Sequence, residues 1–137
     1  MPMSKVPFVV TIFACGYLCS GTAQARSEVQ RDVEGYAIAT CLTKQSEPYL
    51  KDQGDAWASV IVQRSHGDLD PFHAVQEAVE AELKKGFVPA IHNEQDPKHS
   101  KLVPVLYCAE IIDEPSVRPA IDKAIKKLTP AYRRAKK

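Results

Sequence analysis

Four cysteines, four histidines and a set of scattered carboxylates are the residues of this chain that could do chemistry. Cys15 and Cys19 lie in an apolar N-terminal run, whereas Cys41 and Cys108 lie in two apolar segments of the body. No Cys-x-x-Cys motif accompanies the second pair, which argues against a redox site. In an oxidising compartment, a disulfide between Cys41 and Cys108 is the chemistry that this arrangement favours.

The histidines form two pairs, His66 with His73 and His92 with His99. Any two could bind a metal, but four ligands at a defined spacing are absent, so we interpret them as solvated loop residues. The sequence also lacks a nucleophile elbow, a phosphate-binding glycine loop and a His-Glu-x-x-His pair. We therefore expect no enzymatic activity, no metal and no cofactor.

Residues 1–25 have the features of a secretory signal peptide. Lys5 supplies the positive end, Val6 to Leu18 the apolar stretch, and Ala23-Gln-Ala25 the small-residue cleavage site. Cleavage after Ala25 would remove two of the four cysteines and leave an even pair. A lipid anchor at Cys15 is the alternative that this segment leaves open.

The charges are divided unevenly along the chain. The whole sequence has 18 basic and 17 acidic residues, but from Arg118 onward eight basic residues accompany a single acid, Asp122. The body before Arg118 is therefore acidic, and it could attract a basic partner surface. This balance is too mild for a nucleic-acid-binding protein.

Two helices are predicted to hold Cys41 and the segment that follows it. The first begins at Ser27, which opens a capping box with Gln30, and ends before Lys44. Its charged residues are assigned to the polar side of an amphipathic pattern. The second covers Asp52 to Arg64. Its predicted apolar face comprises Ala56, Trp57, Val60 and Ile61, with the tryptophan as a core anchor.

A third helix is predicted from Asp70, as its cap, to Lys85, with Gly86 as a left-handed stop. Phe87 to His99 then forms a long exposed loop. Loops of this length are uncommon in compact domains and are often functional, although a tolerated insertion is the alternative.

A fourth helix is predicted to begin at a Ser100 cap and to carry Cys108 beside its core stripe. That stripe comprises Leu102, Val105, Leu106, Ala109 and Ile112. A fifth helix begins at Ser116, and the basic tail over residues 131–137 is expected to fray. The predicted architecture is an all-α, compact bundle of about five helices with one disulfide, spanning residues 26–130.

Four segments of this pattern occur together in one known family: Tyr36-Ala-Ile-Ala-Thr-Cys41, Asp55-Ala-Trp-Ala, Asp68 to Asp70, and Tyr107-Cys-Ala-Glu-Ile-Ile112. In this respect the chain resembles the family-four amidase immunity proteins of bacterial type VI secretion. The resemblance implies a helical, often dimeric periplasmic inhibitor that blocks an injected peptidoglycan amidase by occluding its active-site cleft.

On that resemblance we expect the loop from Val88 to His99 to enter the cleft, with the turn from Ser65 to Asp70 as second choice. A proline-stiffened loop loses little entropy on binding, and its acids could meet basic groups at the cleft rim. The predicted partner-binding residues are His92, Asn93, Glu94, Gln95, Asp96 and His99 in the loop, and Asp68 and Asp70 in the turn.

The alternative is a periplasmic small-ligand or metal-binding stress module in which the histidines act. Metal titration separates the two, because the inhibitor needs no metal. In either case we expect no nucleic-acid partner, and no membrane partner once the leader is removed.

Overall fold

The computed structural model describes residues 25–92 and 94–137. The predicted leader, except for Ala25, lies outside these residues. In this part of the chain there are five α-helices: α1 (Glu28–Thr43), α2 (Pro48–Arg64), α3 (Asp70–Leu83), α4 (Pro104–Glu110) and α5 (Arg118–Ala135). Between α3 and α4 lie the short strands β1 (Ala90–Ile91) and β2 (Lys101–Leu102), separated by a 3-10 turn over Pro97–His99. A second 3-10 turn, Ile111–Asp113, follows α4. The predicted all-α bundle is confirmed.

Helix α1 is the centre of the bundle, because α2, α3, α4 and α5 all pack against it. It begins as predicted, with the Ser27 hydroxyl accepting a hydrogen bond from the Gln30 backbone N–H at 3.3 Å. The prediction that its charged residues share an exposed face is wrong for two of them. Asp32 and Glu34 are only 1% and 2% exposed, since neighbouring helices surround α1 on nearly every side.

Asp32 joins α1 to two other helices. Its Oδ1 accepts a hydrogen bond of 2.9 Å from Arg64 Nε at the end of α2, and its Oδ2 accepts one of 2.8 Å from the Tyr132 hydroxyl in α5. Burial, and then the hydrogen bond to Asp32, raise the pKa of Tyr132 above its ordinary value. The buried carboxylate is thus paired, as a buried charge must be.

Glu34 joins α1 to α5 in the same way. Its Oε2 accepts a hydrogen bond from Arg26 Nη1 at 3.0 Å. Its Oε1 accepts bonds from Gln30 Nε2 at 3.0 Å and from Arg118 Nη1 at 2.9 Å. The Gln30 side chain therefore turns toward Glu34. This hydrogen bond within the helix stabilises the first turns of α1.

The stability of the fold is expected to fall in acid because of Glu34. Burial alone would raise the pKa of its carboxyl, but the three hydrogen bonds just described outweigh burial and hold the pKa below the ordinary value of 4.5. The carboxylate therefore stabilises the fold above the unfolded-state pKa, and this contribution is lost as the pH falls through the folded-state pKa. We expect the free energy of unfolding, measured by urea titration, to fall more steeply between about pH 5 and pH 3 in the native protein than in Glu34→Gln. Parallel curves for the two proteins would contradict this role.

Helix α2 begins at Pro48 rather than at the predicted Asp52, because proline fits the first turn of a helix. It packs on α1 through Gly54 and Ile61, its two buried residues. The prediction that Trp57 anchors the core is wrong, since 40% of this residue is exposed. Among the described helices, α1 is the one that packs extensively on α2. The outer side of α2 is left uncovered, so Trp57 and Val60 remain exposed to solvent.

Helix α3 lies where it was predicted, but it ends at Leu83, two residues before the predicted end at Lys85. It begins at Asp70, and Gly86 takes the positive φ of 73° predicted for the left-handed stop. The cap differs by one residue. Leu69 occupies the cap position, and the Asp68 carboxylate accepts a hydrogen bond from the Asp70 backbone N–H at 3.2 Å.

Helix α4 begins at Pro104, not at a Ser100 cap, and its buried side differs from the predicted one. The buried residues of α4 and the following turn are Tyr107, Cys108 and Ile111. The predicted stripe residues Leu102, Val105, Leu106 and Ala109 are exposed. The disulfide explains the difference, because it turns the face that carries Cys108 toward α1.

The predicted disulfide is confirmed: Cys41 in α1 is bonded to Cys108 in α4, and both residues are fully buried. Beside it lies the buried side chain of Gln45, whose Nε2 is 3.3 Å from the sulfur of Cys108. The disulfide thus joins α4 to the C-terminal end of α1.

Helix α5 continues through Pro130 to Ala135, so the prediction of a frayed tail after residue 130 is wrong. Tyr132 explains the continuation. It lies four residues after Leu128 on the same side of the helix, and both are buried. The packing and the hydrogen bond of Tyr132 to Asp32 hold the last turns of α5 in the domain.

Candidate functional site

The predicted long loop is in fact a short hairpin, which we define as residues 87–103. Ala90 pairs with Leu102 and Ile91 with Lys101 in an antiparallel ribbon. A further backbone hydrogen bond of 3.0 Å runs from the Val103 N–H to the Pro89 carbonyl. The segment is therefore held by its own backbone bonds.

The tip of the hairpin is shaped by Asp96. Its Oδ1 accepts a hydrogen bond of 3.2 Å from the Lys98 backbone N–H, and its Oδ2 contacts His99 Nδ1. Asp96 therefore closes the turn at the tip as well as presenting charge. His92, Glu94, Gln95 and His99 are exposed, and Asn93 lies outside the described residues.

The structure does not bring the predicted partner-binding residues of the hairpin close to those of the turn before α3. Asp68 lies at the start of α3, where its carboxylate is 3.9 Å from Lys127 Nζ. The hairpin follows the other end of α3, which has 14 residues and is therefore about 21 Å long. Asp68 and Asp70 consequently belong to a different surface from the hairpin acids.

Large apolar side chains of the hairpin and of the start of α4 are exposed to solvent. This exposure was not predicted from the sequence. The exposed fractions are 71% for Phe87, 60% for Ile91 and 61% for Leu102. Val105 and Leu106, at the start of α4, are also exposed. Leu102, Val105 and Leu106 were assigned to the buried stripe of a helix. Nothing in the local sequence distinguishes such a stripe from an exposed apolar surface.

The ribbon carries apolar side chains on both of its faces. Successive residues of a strand point to opposite faces, and paired residues share a face. Leu102 shares a face with its partner Ala90, whereas Ile91 shares the other face with Lys101. An element that is apolar on both faces fits between two walls better than on a flat surface.

A groove separates the hairpin from the turn between α1 and α2. Its volume is about 650 Å³, and it lies between Ser46 and Glu47 on one side and Lys101 and Leu102 on the other. The hairpin therefore stands away from the bundle at this edge, which leaves part of its inner side accessible.

The histidines are dispersed over the surface. His66 packs edge-on against the ring of Tyr132 with centroids 5.2 Å apart, His73 lies in the first turns of α3, and the other two are on the hairpin. Within residues 25–92 and 94–137, no group of three or more His, Cys, Asp or Glu residues is placed to hold a metal ion. None of the helices in this range is long and apolar enough to cross a membrane.

In comparisons with known proteins, the chain matches no family model, no curated protein and no solved structure.

Proposed function

We propose that this protein is a periplasmic immunity protein that blocks a type VI secreted peptidoglycan amidase by inserting its hairpin into the active-site cleft. The observation that carries the proposal is the hairpin itself, which projects exposed apolar side chains on both ribbon faces and acids at its tip. Exposed apolar residues gathered on one element are typical of a protein-binding surface.

The shape of the hairpin supports a cleft as its target. Ile91 and Leu102 point to opposite faces, so each can contact a different wall of a groove. A few well-packed residues near the centre of an interface supply most of the binding free energy. The polar tip would then reach the floor or the far rim of the cleft.

The base of the hairpin is rigid, which favours tight binding. On one side the hairpin joins α3, and on the other it joins α4, which the disulfide at Cys108 fixes to α1. The backbone bonds of the ribbon hold the segment between these points. A pre-organised element loses little conformational entropy when it binds.

The tip carries two acids that could meet basic groups of a partner, while Lys98 and Lys101 balance the formal charge of the hairpin as a whole. Glu94 is exposed on the tip, and the Asp96 carboxylate lies beside it in sequence. Opposite charges across an interface speed association and select the correct partner. A cleft with a basic rim and apolar walls is therefore the surface that this hairpin would recognise.

Purified residues 26–137 are expected to bind the cognate amidase and to stop its cleavage of peptidoglycan. Ile91→Ala and Leu102→Ala should each weaken binding about tenfold, because each removes an apolar contact. Glu94→Lys should slow association, measured by stopped-flow fluorescence. Glu77→Lys, which makes the same charge change on an exposed position of α3, is the control. Native affinity in all three hairpin variants would contradict the proposal.

We also propose that two copies associate through the outer side of α2. Tyr49, Trp57 and Val60 are exposed there and recur at helical spacing on one side. A homodimer interface uses the same patch from both subunits, and tyrosine and tryptophan are enriched at its centre.

The native chain is expected to sediment as a dimer, and Val60→Asp to sediment as a monomer, because a buried unpaired charge opposes association. Val105→Asp places the same charge on an exposed apolar position beside the hairpin and should leave the dimer intact. A native chain that is monomeric at about 50 µM would contradict this interface.

A further inference from the structure

The outer side of α5 carries a row of basic residues. We call this row the basic face, and it comprises Lys123, Lys126, Lys127, Arg133, Arg134 and Lys137, all of them exposed. The acid in the same helix, Asp122, is held by Arg118, with 2.7 Å between its Oδ1 and Arg118 Nη2. It therefore does little to neutralise its neighbours.

Most of the basic face has no intramolecular partner. Lys127 Nζ is 3.9 Å from the Asp68 carboxylate. Among the described residues, no carboxylate lies within 4.0 Å of the charged groups of Lys123, Lys126, Arg133 or Arg134. These cations are not used to stabilise the fold, so they remain available to an external ligand.

The packing of α5 keeps the basic face turned outward. Ile121, Ala124, Leu128 and Tyr132 are buried on the inner side of the helix. They fix its rotation, so the cations at three- and four-residue steps share the outer side. Within α5 the face extends from Lys123 to Arg134, which is 11 residue steps or about 17 Å, and Lys137 follows the end of the helix.

The partner should carry diffuse negative charge. Within residues 25–92 and 94–137, the exposed large hydrophobic residues lie on α2, just before α3, in the hairpin and at the start of α4, and none lies on α5. A protein interface normally has an apolar centre, which the basic face lacks. Rows of lysine and arginine without an apolar centre are instead attracted to the surface of anionic membranes.

Binding through this face would leave the hairpin free. The last residues of α5 lie beside the start of α1, where Lys136 Nζ is 3.3 Å from Glu28 Oε2. The hairpin groove lies beyond the other end of α1, next to Ser46 and Glu47. The 16 residues of α1 separate these two regions by about 24 Å.

We propose that the basic face of α5 binds the surface of membranes that contain anionic phospholipids. The contact is peripheral and reversible. The sequence predicted no membrane partner, and the proposal departs from that prediction because the structure gathers the basic residues on one side of one helix. The proposal relies on the proposed function only for its periplasmic setting. It would hold the inhibitor at a membrane with its hairpin exposed to an incoming enzyme.

Co-sedimentation of residues 26–137 with vesicles tests the proposal. We expect binding to phosphatidylcholine vesicles containing 40% phosphatidylglycerol, no binding to pure phosphatidylcholine, and release when NaCl is raised from about 50 to 500 mM. Lys123→Gln/Lys126→Gln/Arg133→Gln should reduce partitioning at least tenfold, since each basic residue contributes about fivefold. The matched control, Arg31→Gln/Lys51→Gln/Lys84→Gln, makes the same charge change at exposed positions in α1, in α2 and directly after α3, and it should bind as the native chain does.

Equal losses in the two triple variants would overturn the proposal, because they would show a general effect of net charge. Absence of native binding to the anionic vesicles, or binding only to a short DNA duplex or an acidic peptide, would also overturn it. Amidase inhibition in solution is measured on the same proteins. It should persist in the basic-face variant, so failure of the membrane proposal is distinguishable from failure of the inhibitor proposal.

Discussion

Removal of the bond between Cys41 and Cys108 is expected to lower the free energy of unfolding by about 4 kcal/mol. The bond joins residues that are 67 positions apart, and it restricts the unfolded chain accordingly. This loss is large beside the total stability of a small domain, about 5 to 15 kcal/mol. The measurement is urea unfolding of the native chain and of the Cys41→Ala/Cys108→Ala variant.

The reduced native chain is the control for this result. It keeps both sulfur atoms in the core, so it separates the loss of the cross-link from the small cavity that alanine leaves. We expect both proteins to unfold at similar urea concentrations, far below that of the oxidised chain. An oxidised chain no more stable than the reduced one would contradict the structural role of the bond.

Gly54→Ala is expected to destabilise the domain by about 2 kcal/mol, although alanine is the better helix former by about 1 kcal/mol. A Cβ atom at this position would lie 2.7 Å from the Ala39 carbonyl oxygen and 2.8 Å from the Thr43 backbone nitrogen. Backbone atoms of a packed helix cannot move aside locally, so α2 would have to shift away from α1. Thermal and urea unfolding measure the loss.

Gly35→Ala is the matched control, because it makes the same substitution on the other side of the α1–α2 contact. A Cβ atom there would lie 3.2 Å from Ile61 Cδ1 and 3.3 Å from Trp57 Cζ2, which are side-chain atoms that can adjust. We expect its stability to lie within about 1 kcal/mol of the native value. Equal effects of the two substitutions would show that close backbone approach at Gly54 is unimportant.

The predictable parts of the fold depend on local signals. The Ser27 cap, the start of α3 at Asp70 and the glycine stop at Gly86 each follow from residue chemistry within one helical turn, and the structure confirms their positions. The pairing of Cys41 with Cys108 follows from the number of cysteines left after the predicted leader. These features need no knowledge of how the helices pack.

The errors concern which side of a helix is covered. Apolar spacing identified α2 and α4 as helices, but the outer side of α2 has no neighbour to bury Trp57, and the disulfide turns α4 so that Leu106 is exposed. Asp32 was placed on a polar face because its partner Tyr132 lies 100 residues away. Such assignments depend on tertiary packing, which spacing within one helix does not contain.

The segment proposed as the candidate site was singled out from the sequence, but its conformation was not predicted. The segment from Val88 to His99 was singled out because of its prolines and irregular composition, and it does project from the bundle. Its ribbon was missed because each strand has only two residues, too few for an alternating pattern. The exposure of Ile91 was missed because it was placed in an irregular loop, and that of Leu102 because it was assigned to the buried stripe of the fourth helix.

The central position of α1 has a consequence for the order of events during synthesis. Among the described helices α1 comes first in the chain, and its Asp32 and Glu34 have partners, Tyr132 and Arg118, in the last one. An incomplete chain without α5 would keep only Arg64 as a partner of Asp32, and only Arg26 and Gln30 as partners of Glu34. The hydrogen bonds of both carboxylates are therefore complete only after α5 has been synthesised.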